Sequence, residues 1–140
     1  MRRVVLSLVA VWALLIGAPL AHAGVQVEID VGSQTMDVYV NGSLRHTWRV
    51  STGRSGYDTP RGNFSVKRLA EEWYSSKYDD APMPHSIFFK GGYAIHGTYE
   101  TRRLGRRASH GCVRLAPGNA ARLFKLVSSH GRKSSRISVN

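Results

Sequence analysis

Apolar and polar residues alternate from Val25 to Val31, with Val25, Val27, Ile29 and Val31 set against Gln26, Glu28 and Asp30. A period of two sends the two sets to opposite sides of an extended chain, so this run predicts a half-buried strand. Met36, Val38 and Val40 continue the alternation as far as Asn41-Gly42, a dipeptide suited to the positive φ angles of a tight hairpin turn. Leu44, Trp48 and Val50 form the return strand. His46 falls on the face of Leu44 and Trp48, which assigns it to packing rather than to chemistry.

Ser51 to Asn63 is rich in Gly, Ser, Thr and Pro and has no period, so it reads as a loop. Phe64 to Leu69 reads as a strand, and Ala70 to Pro84, aromatic and polar with two prolines, as a surface excursion bordering a groove. Ser86 to Lys90, Gly91-Gly92 and Tyr93 to His96 form a second hairpin that delivers His96 at a strand end. Pro117 stands where a helix accepts proline, and Ala120, Leu123, Phe124 and Val127 recur at helical spacing before Gly131. Arg136 to Val139 fits a last strand. Six or seven short strands and one helix predict a mainly β fold, a small sandwich or partial barrel with the helix after the cysteine packed on it.

The N-terminus departs from these patterns. Arg2-Arg3, an apolar run from Val4 to Ile16 and the small-x-small sequence Ala21-His22-Ala23 read as a secretory leader covering residues 1–23, with one domain over residues 24–140. The apolar run is too short to cross a bilayer core that needs about 20 residues, so no stable membrane anchor is expected after cleavage. The expected location is outside the cytoplasm, in the periplasm or cell-wall space. Without Arg2 and Arg3 the chain keeps 18 basic and 9 acidic residues, a net charge of +9. It should seek anions. In an exported protein these are wall polymers, lipid head groups and peptide carboxylates, and no basic-aromatic motif points to nucleic acid. Composition carries no signal for oligomeric state.

A single cysteine, Cys112, cannot form a disulfide within its own chain. Its neighbours give it chemistry. Ile95-His96-Gly97-Thr98 is separated by a basic spacer from Ser109-His110-Gly111-Cys112-Val113-Arg114-Leu115, which brings a thiol near two imidazoles in sequence. A neutral thiol is a poor nucleophile at pH 7; an imidazole that takes its proton, or holds it as an ion pair, makes acyl transfer feasible. Such a base needs a partner for its other nitrogen. With no Asp or Glu adjacent to either histidine, the carbonyl of Gly97 is the nearest candidate. Gly111 leaves room for backbone N–H groups to meet an oxyanion, or simply makes a turn.

This stretch resembles the signature of the YkuD family of L,D-transpeptidases, in which a His, a spacer and Ser/Thr-His-Gly-Cys are followed by a hydrophobic residue and Arg or Asn. Ser51-Thr52-Gly53, Thr59-Pro60-Arg61-Gly62-Asn63-Phe64 and Met83-Pro84-His85-Ser86 are similar to the family's upstream landmarks, in the same order. The resemblance implies that Cys112 attacks, His96 is the base and the Gly97 carbonyl orients it. It implies that Ser109, His110 and Gly111 shape the site, with the Gly111 and Cys112 N–H groups as the oxyanion hole, and that no metal or organic cofactor is required. The implied substrates are peptidoglycan stem peptides, joined through an acyl-enzyme with release of D-alanine into 3→3 crosslinks, as part of wall organisation and cell shape. Ala116-Pro117 departs from a polar residue followed by Asn in many relatives, which puts the cap of the following helix in doubt.

Two histidines compete for the role of base, and His96, arriving from a neighbouring strand, is favoured over His110, two residues from the thiol. Arg114 either contacts a substrate carboxylate or braces the motif. Arg102, Arg103, Arg106 and Arg107 form a solvated basic loop or grip the acidic stem peptide. His85 and His130 lack a motif and are assigned to structure or solvent. The rival readings are a zinc hydrolase on His96, His110 and Cys112, a carboxypeptidase or lipoprotein-attaching version of the thiol chemistry, and a wall-binding module without turnover.

Overall fold

The structure is a computed structural model that describes residues 23–140; the leader expected over residues 1–23 lies outside it except for Ala23. Nine strands are found among the described residues: β1 (Val25–Asp30), β2 (Thr35–Val40), β3 (Ser43–Arg49), β4 (Gly62–Ser65), β5 (Arg68–Ala70), β6 (Ser86–Lys90), β7 (Tyr93–Gly97), β8 (Val113–Leu115) and β9 (Ser135–Val139). One sheet has the order β3-β2-β1-β9-β4 and the other β5-β6-β7-β8. The one α-helix among the described residues, α1 (Pro117–His130), packs on β7 and also touches β1 and β6. The fold is mainly β with one packed helix, as the alternation predicts.

The alternating residues build the core. Val25, Ile29 and Ile137 from the first sheet meet Ile95 and Val113 from the second and Leu123 from α1 in one buried cluster. Each such side chain, removed from water, stabilises the fold by roughly 1.5–3 kcal/mol. Strand β9 runs parallel to β1 and antiparallel to β4, so it is an interior strand of the larger sheet.

Three details differ from the sequence reading. Phe64 to Leu69 is two strands: Phe64 pairs with Ile137 in one sheet and Leu69 with Ile87 in the other, with Val66 buried at the crossing. Apolar spacing cannot register a change of sheet, because Val66 is buried throughout the passage. In β3 a bulge leaves Arg45 out of register, so Val38 faces His46 while Tyr39 faces Leu44. The extra residue inverts the faces beyond it, and Leu44 is 55% exposed whereas His46 stacks on Trp48 at 4.6 Å. Finally, β8 is only three residues long, too short to show a period, and was hidden in the cysteine motif.

The helix begins despite its unusual lead-in. Ala116 occupies the N-cap position without a side-chain hydrogen bond, and Pro117 follows as the first helical residue. Proline has no N–H to leave unsatisfied there, which reduces the need for a polar cap.

The bulge gives a direct test. Leu44→Ser should change stability by less than about 0.5 kcal/mol, whereas Ile29→Ala should cost about 2–5 kcal/mol. Urea unfolding followed by tryptophan fluorescence measures both, and a large loss in Leu44→Ser would place that side chain in the core.

Candidate active site

Strands β7 and β8 run parallel, pairing Ile95 with Val113, His96 with Arg114 and Gly97 with Leu115. Ile95, Val113 and Leu115 point into the core. By alternation His96 and Arg114 share the opposite face. Cys112 lies two residues before Arg114 and therefore joins that face, beside Ala94, and it packs against the small cluster of Met83, Phe88 and Ala94. Diagonal neighbours on paired strands are about 7–8 Å apart at their backbones, within reach of an imidazole. Cys112, His96 and Arg114 all line one cavity of about 820 Å³.

His96 is buried, and its Nδ1 lies 2.6 Å from the Gly97 carbonyl oxygen. A carbonyl only accepts, so Nδ1 carries the proton and Nε2 keeps its lone pair. Gly97 is held in turn: its N–H donates to the Pro84 carbonyl at 2.8 Å, and an added Cβ would stand 3.1 Å from the Pro84 ring and 3.3 Å from Ala120. Helix α1 thus presses on the residue that orients the imidazole. Burial lowers the His96 pKa to about 4, against the opposing hydrogen bond to Gly97 and assisted by the Arg114 charge. The same burial raises the Cys112 pKa, opposed by a backbone hydrogen bond at Ala94 and by Arg114. At neutral pH both groups are uncharged, which favours a general-base arrangement over a preformed ion pair.

The turn carrying the thiol is fixed by buried hydroxyls. Ser109 Oγ accepts the Gly111 N–H at 3.0 Å and donates to the Cys112 carbonyl at 2.5 Å. Thr59 Oγ1 donates to the Gly111 carbonyl at 2.8 Å and accepts the Gly53 N–H at 2.9 Å. The Thr52 carbonyl takes the N–H groups of both Ala108 and Ser109, and Thr52 itself is gripped by the side chain of Gln34 through its N–H and its hydroxyl. Gly111 has φ 121°, and a Cβ there would lie 2.6 Å from the Tyr93 ring. Both the turn and the close approach therefore require glycine.

Of the other expected residues, His110 and Arg114 line the same cavity while most of the spacer arginines do not. His110 is clamped between aromatic rings, stacked on Tyr78 at 4.1 Å and edge-on to Tyr57 at 5.1 Å. Its pKa is lowered by burial, then by Arg54 and Arg114. Arg114 Nη1 is buried without a hydrogen bond, 3.5 Å from Glu100 Oε2 but poorly aligned with it. Of the four spacer arginines only Arg103 lines the cavity, 3.7 Å from the same Glu100. Arg107 lies 3.9 Å from Asp58, Arg106 reaches the Arg102 carbonyl, and these three stay out of the lining. Among the described residues no three His, Cys, Asp or Glu side chains converge where they could share a metal ion. His130 Nδ1 donates to the Leu126 carbonyl and His85 packs edge-on to Phe124.

The excursion between β5 and β6 does border the cavity, through Trp73, Tyr78 and Met83. Sequence reasoning missed Gln34, Thr59, Arg54 and Arg68. Thr52 and Thr59 stand within the Ser51-Thr52-Gly53 and Thr59-to-Phe64 runs, which carry no physical sign of this role; Gln34 and Arg68 have no local signal.

The chain is similar to known proteins in sequence and in fold. The model of the family named YkuD, L,D-transpeptidase catalytic domain, matches residues 24–135. A Bacillus subtilis relative, YqjB, is 28% identical over 114 residues, 72% of this chain and 65% of its own length. The solved L,D-transpeptidase of Xylanimonas cellulosilytica is 28% identical with a TM-score of 0.72, covering 87% of this chain and 63% of that one. That of Stackebrandtia nassauensis is 26% identical with a TM-score of 0.74, covering 89% and 58%. The chain therefore spans less than two thirds of the length of each of these relatives.

The buried imidazole gives a stability prediction. Unfolded, His96 takes a proton near pH 6.5; folded, it stays neutral down to about 4. Between these values the unfolded chain binds more protons, so stability falls as pH drops, by on the order of 3 kcal/mol in total. Urea midpoints measured from pH 7 to pH 4 should show this slope in the native chain and its partial loss in His96→Gln; equal slopes would mean the imidazole is not buried neutral.

Proposed function

We propose a function from one premise: this chain belongs to the YkuD family of L,D-transpeptidase catalytic domains. On that footing it is an exported cysteine acyltransferase of the cell wall, with its catalytic domain over residues 24–140. The observation that carries this reading is the thiol of Cys112 and an oriented, neutral His96 on one face of the β7–β8 pair, lining one cavity.

The chemistry follows from those atoms. His96 Nε2 takes the thiol proton as Cys112 Sγ bonds to the carbonyl carbon of the third residue of a stem tetrapeptide. The developing oxyanion is met by the Cys112 N–H; the Gly111 N–H joins only by turning from Ser109 Oγ, which holds it at rest. Preorganised donors of this kind lower a barrier by about 3 kcal/mol each. The imidazolium passes its proton to the departing amine of D-alanine, leaving a thioester. An incoming side-chain amine from a second stem attacks that thioester, gives a proton to His96 and restores the thiol, which makes a 3→3 crosslink. Water as acceptor gives carboxypeptidase activity by the same steps, and a protein lysine gives attachment to the wall.

Arg114 serves this site by its charge. It stabilises the thiolate as it forms, and its Nη1, which lies 3.5 Å from the Glu100 carboxylate without a hydrogen bond, can donate to a substrate oxygen. Ser109 and His110 hold the shape of the pocket, the first through the turn and the second through its aromatic clamp. Among the described residues no helix is long and apolar enough to cross a membrane.

Incubating residues 24–140 with tetrapeptide muropeptides should release D-alanine, detected by mass spectrometry together with the crosslinked dimer. Cys112→Ala should abolish release, and iodoacetamide should inhibit where a metal chelator does not. Release that persists in Cys112→Ala, or that a chelator stops, would overturn the thiol mechanism.

A further inference from the structure

Arg68 forms a row with the candidate nucleophile. It pairs with Phe88 across β5–β6, Phe88 pairs with Ala94 across β6–β7, and Ala94 lies beside Cys112 at the entrance to β8. Residues directly opposite one another share a face, so this row crosses the floor of the cavity. At about 4.8 Å per strand the Arg68 backbone is roughly 14 Å from that of Cys112. Its side chain closes part of the gap. The guanidinium carbon lies 4.1 Å from the centre of the Phe88 ring and 4.3 Å from that of Trp73, in the corner that these two rings make at 82°.

This exposed guanidinium is confined by two rings without being neutralised. Two rings at 82° confine it, which reduces the entropy lost when it binds a ligand, and N–H groups turned away from the rings are free to donate. The ion pairs among the described residues involve Arg103, Arg107 and Arg114, and none involves Arg68. A planar cation confined at the cavity wall, with no carboxylate within ion-pair distance, matches a substrate carboxylate in two-point geometry.

We infer that Arg68 is the specificity residue that binds a carboxylate of the acyl donor, about 10 Å from the carbonyl that Cys112 attacks, two to three residue lengths along an extended peptide. The assignment rests on the acyl-transfer reading above. It moves the acidic-peptide grip from the spacer arginines to the opposite side of the cavity, and it makes the enzyme discriminate donors with a free carboxylate from those in which that group is amidated.

The test uses tetrapeptide donors in which each carboxylate in turn is converted to a carboxamide, with D-alanine release followed for the native chain, Arg68→Gln and Arg68→Lys. One amidation should raise the native KM by about 10- to 100-fold. Arg68→Gln should show that same rise with the free donor and no further loss with that amidated donor, and Arg68→Lys should recover only part. Trp73→Leu, which frees the guanidinium, should raise KM for the free donor and leave the amidated one unchanged. Iodoacetamide alkylation of Cys112 at the native rate in each variant reports an intact site. The inference is overturned if Arg68→Gln treats all donors as the native chain does, or if its loss multiplies with every amidation. Absence of D-alanine release from any donor by the native chain would instead defeat the acyl-transfer reading itself.

Discussion

Parallel pairing of two very short strands holds this site together. β7 and β8 meet over three residue pairs, and that register alone sets which side chains leave the core and face the cavity. A shift by one residue would exchange Arg114 for Val113 or Leu115 and send the cysteine inward, because alternation in a strand has a period of two. Parallel strands need a long connection. Here it is the spacer between Gly97 and Cys112, so the interval that separates the two halves of the motif in sequence is also what brings them together in space.

Three residue pairs are a weak clamp by themselves, and the surrounding polar network supplies the rest. Ser51 exchanges both backbone hydrogen bonds with Arg114, extending the sheet beyond β8. Gln34 at the β1–β2 turn, buried at φ 55°, holds Thr52; Thr52 holds Ser109; Ser109 and Thr59 hold the turn at Gly111 and Cys112. A left-handed backbone at a non-glycine residue costs on the order of 1–3 kcal/mol, and it persists here because Gln34 satisfies three buried groups at once. Buried polar groups left unpaired are expensive, so this chain of hydroxyls and amides has one good arrangement, and that arrangement fixes the thiol. The burial that keeps His96 neutral comes from the same compactness, with α1 and Pro84 closing on Gly97.

Much of this was legible in the sequence. The alternation of Val25 to Val40, the Asn41-Gly42 turn, the second hairpin and the helix from Pro117 follow from period and punctuation, because each long element shows one face to the core. The thiol, the imidazole and its carbonyl partner were legible because motif residues lie in short contiguous runs. What escaped was the work of tertiary position. A bulge inverted Leu44, a change of sheet divided Phe64 to Leu69, and β8 was too brief to show a pattern. The spacer arginines, which crowd one segment, read as either a solvated basic loop or a substrate grip, and crowding in sequence does not decide convergence in space. Of those four only Arg103 reaches the cavity, while Arg54 and Arg68 come to it from distant loops and strands.

The central claim is that His96 acts on Cys112 as a neutral base across the β7–β8 pair. Rapid quenching after mixing with a tetrapeptide donor, followed by peptide mapping by mass spectrometry, tests it most directly. The account predicts a thioester on the peptide that contains Cys112, formed about 10²- to 10⁴-fold more slowly in His96→Gln. An acyl group on any other residue, or an equal rate of acylation in the variant, would contradict it.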